Sequence, residues 1–543
     1  MDKVEIRGPV MTDIILPEIN TSNFAGFYYN FDKNLGTETI TIAVTGGNTV
    51  NIDALVYKST IMKNIDFKST NVATAADPDF EMIGYLAEEY VPIKTNDASK
   101  LSKLLVDDKA SHTIRTGQAY ELGEGYALTA QQIDVNGEKV WLELTKDGVY
   151  VADKIISTVN NTAGADEKVW VYEQTVGGEQ DITTLKLYVD QVFQGQVDSL
   201  AVIKGVWQIS DSAKELKTDD VVGKLKGGAT NDVITMKNDA SFSLSRNSDV
   251  SVGSNLAFKV ADDSTLRFYL MKTYTAPGTY EIRGTSVEPN GSAGPDIWTA
   301  DTFAGFFYDL DDNQQYETLS LTVEAADNRS VLADQLVYTA TIKTVNFRST
   351  NVATAADPDF EKIGFLAEEY VPIKTMDPAK LSKLLVDDKA SHTIRTGQAY
   401  ELGEGYAVTA QQIDINGEKV WLELTKDGVY VADKIISTVN NTAGADEKVW
   451  VYEQTVGGEQ DITTLKLYVD QVFQGQVDSL AVIKGVWQIS DSVKEIKSDE
   501  KMGKLKGGPA GSSIVMKNED AFSLTKDTII DIAGEIKIKV AND

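Results

Sequence analysis

Residues 71–210 recur without a gap as residues 351–490, 280 positions later, with few differences, among them Met82/Lys362, Tyr85/Phe365, Asn96/Met376 and Ala98/Pro378. Outside this block the copies diverge but remain alignable. Phe24-Ala25-Gly26-Phe27-Tyr28-Tyr29 answers Phe303-Ala304-Gly305-Phe306-Phe307-Tyr308, and Lys259-Val260-Ala261-Asp262-Asp263 answers Lys539-Val540-Ala541-Asn542-Asp543. Such a repeat far exceeds the roughly 20–50 residues of a solenoid or propeller period. It is also long for one core, since single domains usually run to about 100–200 residues. The expectation is a tandem of two repeat domains, residues 4–283 and 284–543, each holding two subdomains, with the second repeat stopping before its last strand.

Within the repeat, residues 125–158 read as three extended runs joined by two tight turns. Val140, Leu142 and Leu144 alternate with Trp141, Glu143 and Thr145, the period of a strand with one buried face. Asn136-Gly137 suggests a two-residue hairpin turn and Lys146-Asp147-Gly148 a second turn. The same meander returns at 405–438, with Val408 for Leu128 and Ile415 for Val135. Further strands are expected at 24–31, 38–44, 168–174, 184–193, 199–209, 233–236 and 256–260. One short helix is expected at 98–106, with Asp97 as N-cap and Leu101, Leu104 and Leu105 on one face. Many short strands with turn signals at close spacing predict an all-β chain, a tandem repeat of paired β-sandwiches with minor short helices. The strands at the two ends of a repeat are expected to share one sandwich around an inserted central one.

Composition narrows the partners. The net charge of −31 argues against binding nucleic acid or an anionic membrane, because like charge repels. With no cysteine there are no disulfides and no thiolate metal sites. No apolar run reaches the roughly 18 residues that span a bilayer. The two histidines, His112 and His392, are repeat partners beside Ser111 and Ser391, with no acid placed in sequence like a triad partner. Carboxylate pairs such as Glu88-Glu89, Asp107-Asp108 and Glu121/Glu124 are what 82 acidic residues supply by chance. Asn30–Asn34 and Asp309–Asn313 resemble the start of a calcium loop but lack its glycine and spacing; a solvated hairpin turn is the better reading. Loose association of cations with the acidic surface is compatible with the composition. No cofactor motif is present. Asn20, Asn160, Asn290, Asn328 and Asn440 begin N-glycosylation sequons and are expected on surface loops. Trp141, Trp170 and Trp207, with their copies Trp421, Trp450 and Trp487, sit in alternating strands and are read as core; Trp298 has no counterpart.

The combination of FAGFYY, GYALTAQQIDVNGEKVWLELTKDG, VFQG, KVADD and the EIRG border resembles the surface-layer proteins of methanosarcinal archaea, over nearly the whole chain. The resemblance implies duplicated domains of two β-sandwich subdomains, N-glycosylation, and tiling into a porous, negatively charged lattice outside the cell. It also implies a signal peptide, a polar stalk and a membrane anchor, none of which this sequence shows; an ectodomain is the expectation. The expected function is therefore structural and non-enzymatic, with the chain itself as partner, and membrane contact only through an anchor absent from this chain. A secreted carbohydrate-binding or adhesin sandwich, with Trp298 or Tyr28 as sugar platform, is the alternative; a sandwich glycoside hydrolase is a third. One further expectation concerns the strand around Leu266–Leu270. It has no counterpart in the second repeat, whose sheet should show an unpaired edge or borrow a strand.

Overall fold

The computed structural model describes residues 4–159, 165–195, 198–439, 445–475 and 478–542. The chain divides into two compact units, Met1–Tyr280 and Glu281–Asp543. Both are all-β, as the alternation predicts. Among the described residues the helical pieces are 3-10 turns of three or four residues, such as Thr70–Val72 and Gly123–Gly125.

In unit 1, strands from both ends of the sequence pair with each other. Leu55–Thr60 lies against Val233–Asn238 within a six-stranded sheet, and Val4–Thr12 lies against Arg267–Tyr274 within a four-stranded one. The middle of the unit makes a long sheet from Met62–Ile65 to Val169–Val176 and a separate meander. The meander comprises Ala119–Glu121, Tyr126–Asp134, Lys139–Lys146 and Val149–Ser157. Its inner face (Leu128, Leu142, Leu144 and Ile156) packs on Trp170, Leu187, Val189 and Ile203 of the long sheet, so the two sheets form a sandwich. Unit 2 repeats this core residue for residue.

Residues 98–106 are not a helix. They belong to the strand Asp97–Arg115, which pairs first with Glu88–Lys94 and then, beyond Lys103, with Ser199–Ile209. The Asp97 carboxylate accepts from the Ser99 N–H at 2.9 Å, an Asx turn that closes the hairpin at Asn96 (φ 58°). Bulges at 104–106 and 108–111 bend this strand where it pairs with Ser199–Ile209 in the long sheet, so tertiary pairing overrides the leucine spacing. The segment expected as strand 24–31 is mostly a turn. Phe24 curls over Gly26, where a Cβ would lie 2.4 Å from the ring, and meets Phe27 edge-on; only Tyr29–Asn30 is extended.

The meander turns are reversed relative to expectation. Asn136-Gly137 lies in a four-residue loop between Asp134 and Lys139, with the left-handed residue at Glu138 (φ 49°). The Gly137 N–H donates to the Asp134 carboxylate at 2.9 Å, which favours the longer loop. The two-residue turn is Asp147-Gly148, with both residues at positive φ (50° and 77°).

Candidate assembly surface

The outer face of the meander carries an aromatic and aliphatic platform. Trp141 pairs with Ile155 across the strands, and Tyr150 lies nearby opposite Thr145. Trp141 is 40% exposed, Tyr150 57% and Ile155 65%. The same three positions in unit 2, Trp421, Tyr430 and Ile435, are 39%, 58% and 64% exposed. Trp141 and Trp421 are therefore surface residues and not core, unlike Trp170, Trp207, Trp450 and Trp487, which are buried. Alternation decides it: Val140 and Leu142 point inward, so the residue between them must point out.

The platform is held in place by one carboxylate. Asp153 accepts from the Trp141 indole N–H at 2.9 Å and from the Tyr150 hydroxyl at 2.5 Å. The Tyr150 hydroxyl, then the indole, hold the Asp153 carboxyl below its ordinary range. In unit 2 the Asp433 carboxylate accepts from the Trp421 indole N–H at 2.9 Å and from the Tyr430 hydroxyl at 2.5 Å. Fixing two large side chains before contact lowers the ordering cost of an interface, and Trp and Tyr are the residues that dominate interface energetics.

The other residues singled out from the sequence are placed differently. His112 has an acid partner four residues away: its Nε2 lies 2.9 Å from Asp108 Oδ2, while the ring packs on Tyr120. The bulge at 108–111 brings the two together, and nothing in strand alternation signals it. Glu88 binds Lys103, the Asp107 carboxylate accepts from the Lys68 N–H, and Glu124 accepts from the Ser210 hydroxyl. Each of these carboxylates thus holds a structural hydrogen bond. Asp309 is not solvated. It is buried, accepts from the N–H groups of Asp311 and Asp312 at 3.1 Å, and pairs with Lys362 at 2.7 Å. Among the described residues no three His, Asp or Glu side chains are grouped to hold a metal ion.

A buried carboxylate recurs in both units. Glu38 accepts from the Tyr57 hydroxyl and the Ala87 N–H, both at 2.8 Å; Tyr57 also accepts from the Leu86 N–H at 2.9 Å. These bonds staple a two-residue turn of Leu86 (φ 50°) and Ala87 (φ 68°), a left-handed pair normally reserved for Gly or Asn. Burial pushes the Glu38 carboxyl up to about 7 against these hydrogen bonds. Glu317, Tyr338, Leu366 and Ala367 repeat the arrangement. Backbone support, not chemistry on a substrate, accounts for these hydrogen bonds.

Of the sequons, Asn20 is half-buried at the end of a short strand, its Oδ1 accepting from the Ser22 hydroxyl at 2.6 Å. Asn290 and Asn328 are exposed on adjacent loops of unit 2, where the Gly291 N–H donates to Asn328 Oδ1 at 3.1 Å. Asn160 and Asn440 lie outside the described residues. Trp298 is half-buried with its indole donating to the Thr285 carbonyl, and Tyr28 packs against the aromatic cluster around Phe67; neither is an open sugar platform.

A family model described as S-layer protein matches residues 12–262 and 286–542, one match in each repeat. The Major S-layer protein of Methanosarcina barkeri is 41% identical over 559 residues, covering 100% of this chain and 81% of that protein. The Major S-layer proteins of Methanosarcina mazei and Methanosarcina acetivorans are 42% and 41% identical, each with 82% of its length covered. Duplicated sandwiches, an acidic composition and one family match in each repeat coincide, and the chain belongs to the S-layer protein family.

Proposed function

We propose that this chain is an extracellular structural subunit that associates with copies of itself into a cell-surface lattice. The observation that carries the reading is the repetition of one ordered Trp–Tyr–Ile platform on the meander of each unit. Two equivalent patches per chain supply more than one contact to a neighbour, which a sheet-like assembly requires and a single patch does not. Repeat domains 4–283 and 284–543 are the building modules. Each has one sandwich formed by the meander and the long sheet and another formed by strands from both ends of the repeat.

The reading extends to the surface. A net charge of −31 makes the walls of any pore repel anions within a Debye length, about 8 Å at physiological ionic strength. Glycans on Asn290 and Asn328 would cover one patch of unit 2, and Asn20, Asn160 and Asn440 are the other acceptor candidates. Divalent cations would weaken self-repulsion and promote assembly. The chain's role is not catalytic in this account.

The test is assembly of variants. Trp141→Asp together with Trp421→Asp should abolish ordered arrays in electron micrographs while circular dichroism and unfolding midpoint stay close to the parent. Arrays that persist in the double variant would overturn the assignment of the contact surface.

A further inference from the structure

Two outward sheet faces of each unit carry charges of opposite sign. The first is the meander face that bears the Trp–Tyr–Ile platform. There Glu143 lies directly opposite Asp153 across Lys139–Lys146 and Val149–Ser157. Glu121 shares this face through Ala127 and Thr145. Carboxylates directly opposite one another repel, and among the described residues neither Glu143 nor Asp153 has a cation paired with it. Unit 2 sets Glu423 against Asp433 in the same way.

The second is the outer face of the six-stranded sheet. Its strands Leu55–Thr60 and Val233–Asn238 turn Tyr57, Ile234 and Met236 inward, so Lys58, Thr235 and Lys237 stand outward. Lys226 lies directly opposite Lys237. Among the outward residues of these strands lysine is the only charged type, although the chain holds 82 acidic and 51 basic residues. Asp53, Asp219 and Asp239 come from loops at the rim, yet among the described residues Lys58, Lys226 and Lys237 make no ion pair. Unit 2 keeps this composition in a part of the repeat that has diverged: Lys506 lies opposite both Lys501 and Lys517. There the loop residue Glu519 pairs with Lys501 at 3.1 Å and with Lys506 at 2.8 Å. Its repeat partner in unit 1 is the shorter Asp239. Glu519 shows what the lysine row takes, a carboxylate held between ammonium groups.

We propose that the lysine face of one copy docks on the meander face of a second copy, in a head-to-tail contact. The inference rests on the reading of the chain as a lattice subunit and names what the platform meets. Lysine ammonium groups enter between Glu143 and Asp153, and the lysine stems lie against Trp141. Each face thereby relieves the like-charge pair of the other. Two meander faces brought together would instead set carboxylate against carboxylate, so charge selects the unlike partner. A contact between unlike patches leaves one of each free at its ends, and it can therefore propagate.

The experiment uses the whole chain. Isotope-labelled and unlabelled protein are mixed, assembled and treated with a carbodiimide, which joins a lysine amine to a carboxylate in contact with it. Mass spectrometry should find Lys226, Lys237, Lys506 or Lys517 of one copy joined to Glu143, Asp153, Glu423 or Asp433 of another. A charge exchange then tests the pairing. One chain carries Lys226→Glu, Lys237→Glu, Lys506→Glu and Lys517→Glu; a second carries Glu143→Lys and Glu423→Lys, which leaves Asp153 and Asp433 in place. Each alone should need about tenfold more protein to assemble, or fail to assemble. The equal mixture should assemble like the parent, because every contact in it is again between opposite charges. Either variant assembling alone like the parent, or a folded pair that stays apart on mixing, would overturn the proposal. So would parent cross-links that join Lys139 of one meander to Glu143 or Asp153 of another, since meander then meets meander. Loss of arrays in the Trp141→Asp, Trp421→Asp chain with arrays retained in the lysine-reversed chain removes this pairing alone. Arrays retained in both remove the platform reading as well.

Discussion

Units 1 and 2 share one sequence block, yet their polar interiors are not the same. In unit 2, Lys362 and Asp309 form an ion pair with side chains 2% and 3% exposed. In unit 1 the matching residues are Met82 and Asn30, one apolar and one neutral. Burial pushes the Asp309 carboxyl up, but the adjacent Lys362 ammonium outweighs it and holds the group below its ordinary range. The difference teaches that at this position the buried ammonium and the buried carboxylate come together. The two changes belong together although they lie 53 residues apart in sequence.

The largest expected effect breaks that pair. Lys362→Met, the unit 1 residue, strands a buried carboxylate and should cost about 3–5 kcal/mol. Adding Asp309→Asn, which completes the unit 1 arrangement, should recover most of it. Denaturant unfolding of the single and double variants, with hydrogen exchange to localise the change, checks this. A double variant no better than the single would break the comparison.

Next comes pH. The buried Glu38 carboxyl titrates at about 7, above its ordinary 4.5, so the folded state favours the protonated form. Its stabilisation is complete below pH 4.5 and is lost as pH rises through 7, a change on the order of 3 kcal/mol at most. Exchange of core amides in unit 1 should quicken between pH 5 and 8, and Glu38→Gln should flatten that dependence. In unit 2 the Asp387 carboxyl, raised by burial from 3.8 to about 6, gives the same sign at lower pH.

A glycine comparison is smaller. A Cβ on Gly84 would lie 2.4 Å from Glu38 Oε2 and 2.7 Å from Thr37 Oγ1, whereas one on Gly364 would lie 2.8 Å from Glu317 Oε2. Gly84→Ala and Gly364→Ala should each cost about 1–3 kcal/mol, the former more, as read from unfolding midpoints.

The smallest effect has the opposite sign. Ala367→Gly relieves a left-handed residue at an exposed site and should stabilise unit 2 by up to about 1 kcal/mol. Ala87→Gly also removes a buried methyl, so its gain should be smaller or absent. Equal gains would show that covering the turn has no energetic consequence.

Much of the fold was legible because strand alternation is a local signal. The meander, its inner leucines and the strand pairs of the repeat follow from period two. Trp141 shows where a second rule misleads. Residue type argued for the core, yet its own alternation with Val140 and Leu142 put it outside. The helix expected at 98–106 rested on three leucines, whose spacing could not reveal that Leu101 faces Pro92 and Leu104 faces Ile209 across strands. The Leu86-Ala87 turn carried no Gly or Asn signal. Its support comes from Glu38 and Tyr57, distant in sequence, so only the assembled sheet shows it. The Lys362/Met82 difference was visible, but its partner at 309 lay outside the near-identical block.

The most direct test of the account is an electron cryomicroscopy map of the assembled protein at a resolution that separates strands. The account predicts that neighbouring molecules meet on the outer faces of both meanders, with Trp141 and Trp421 covered. A lattice in which both faces line open solvent, with contacts elsewhere, would contradict it.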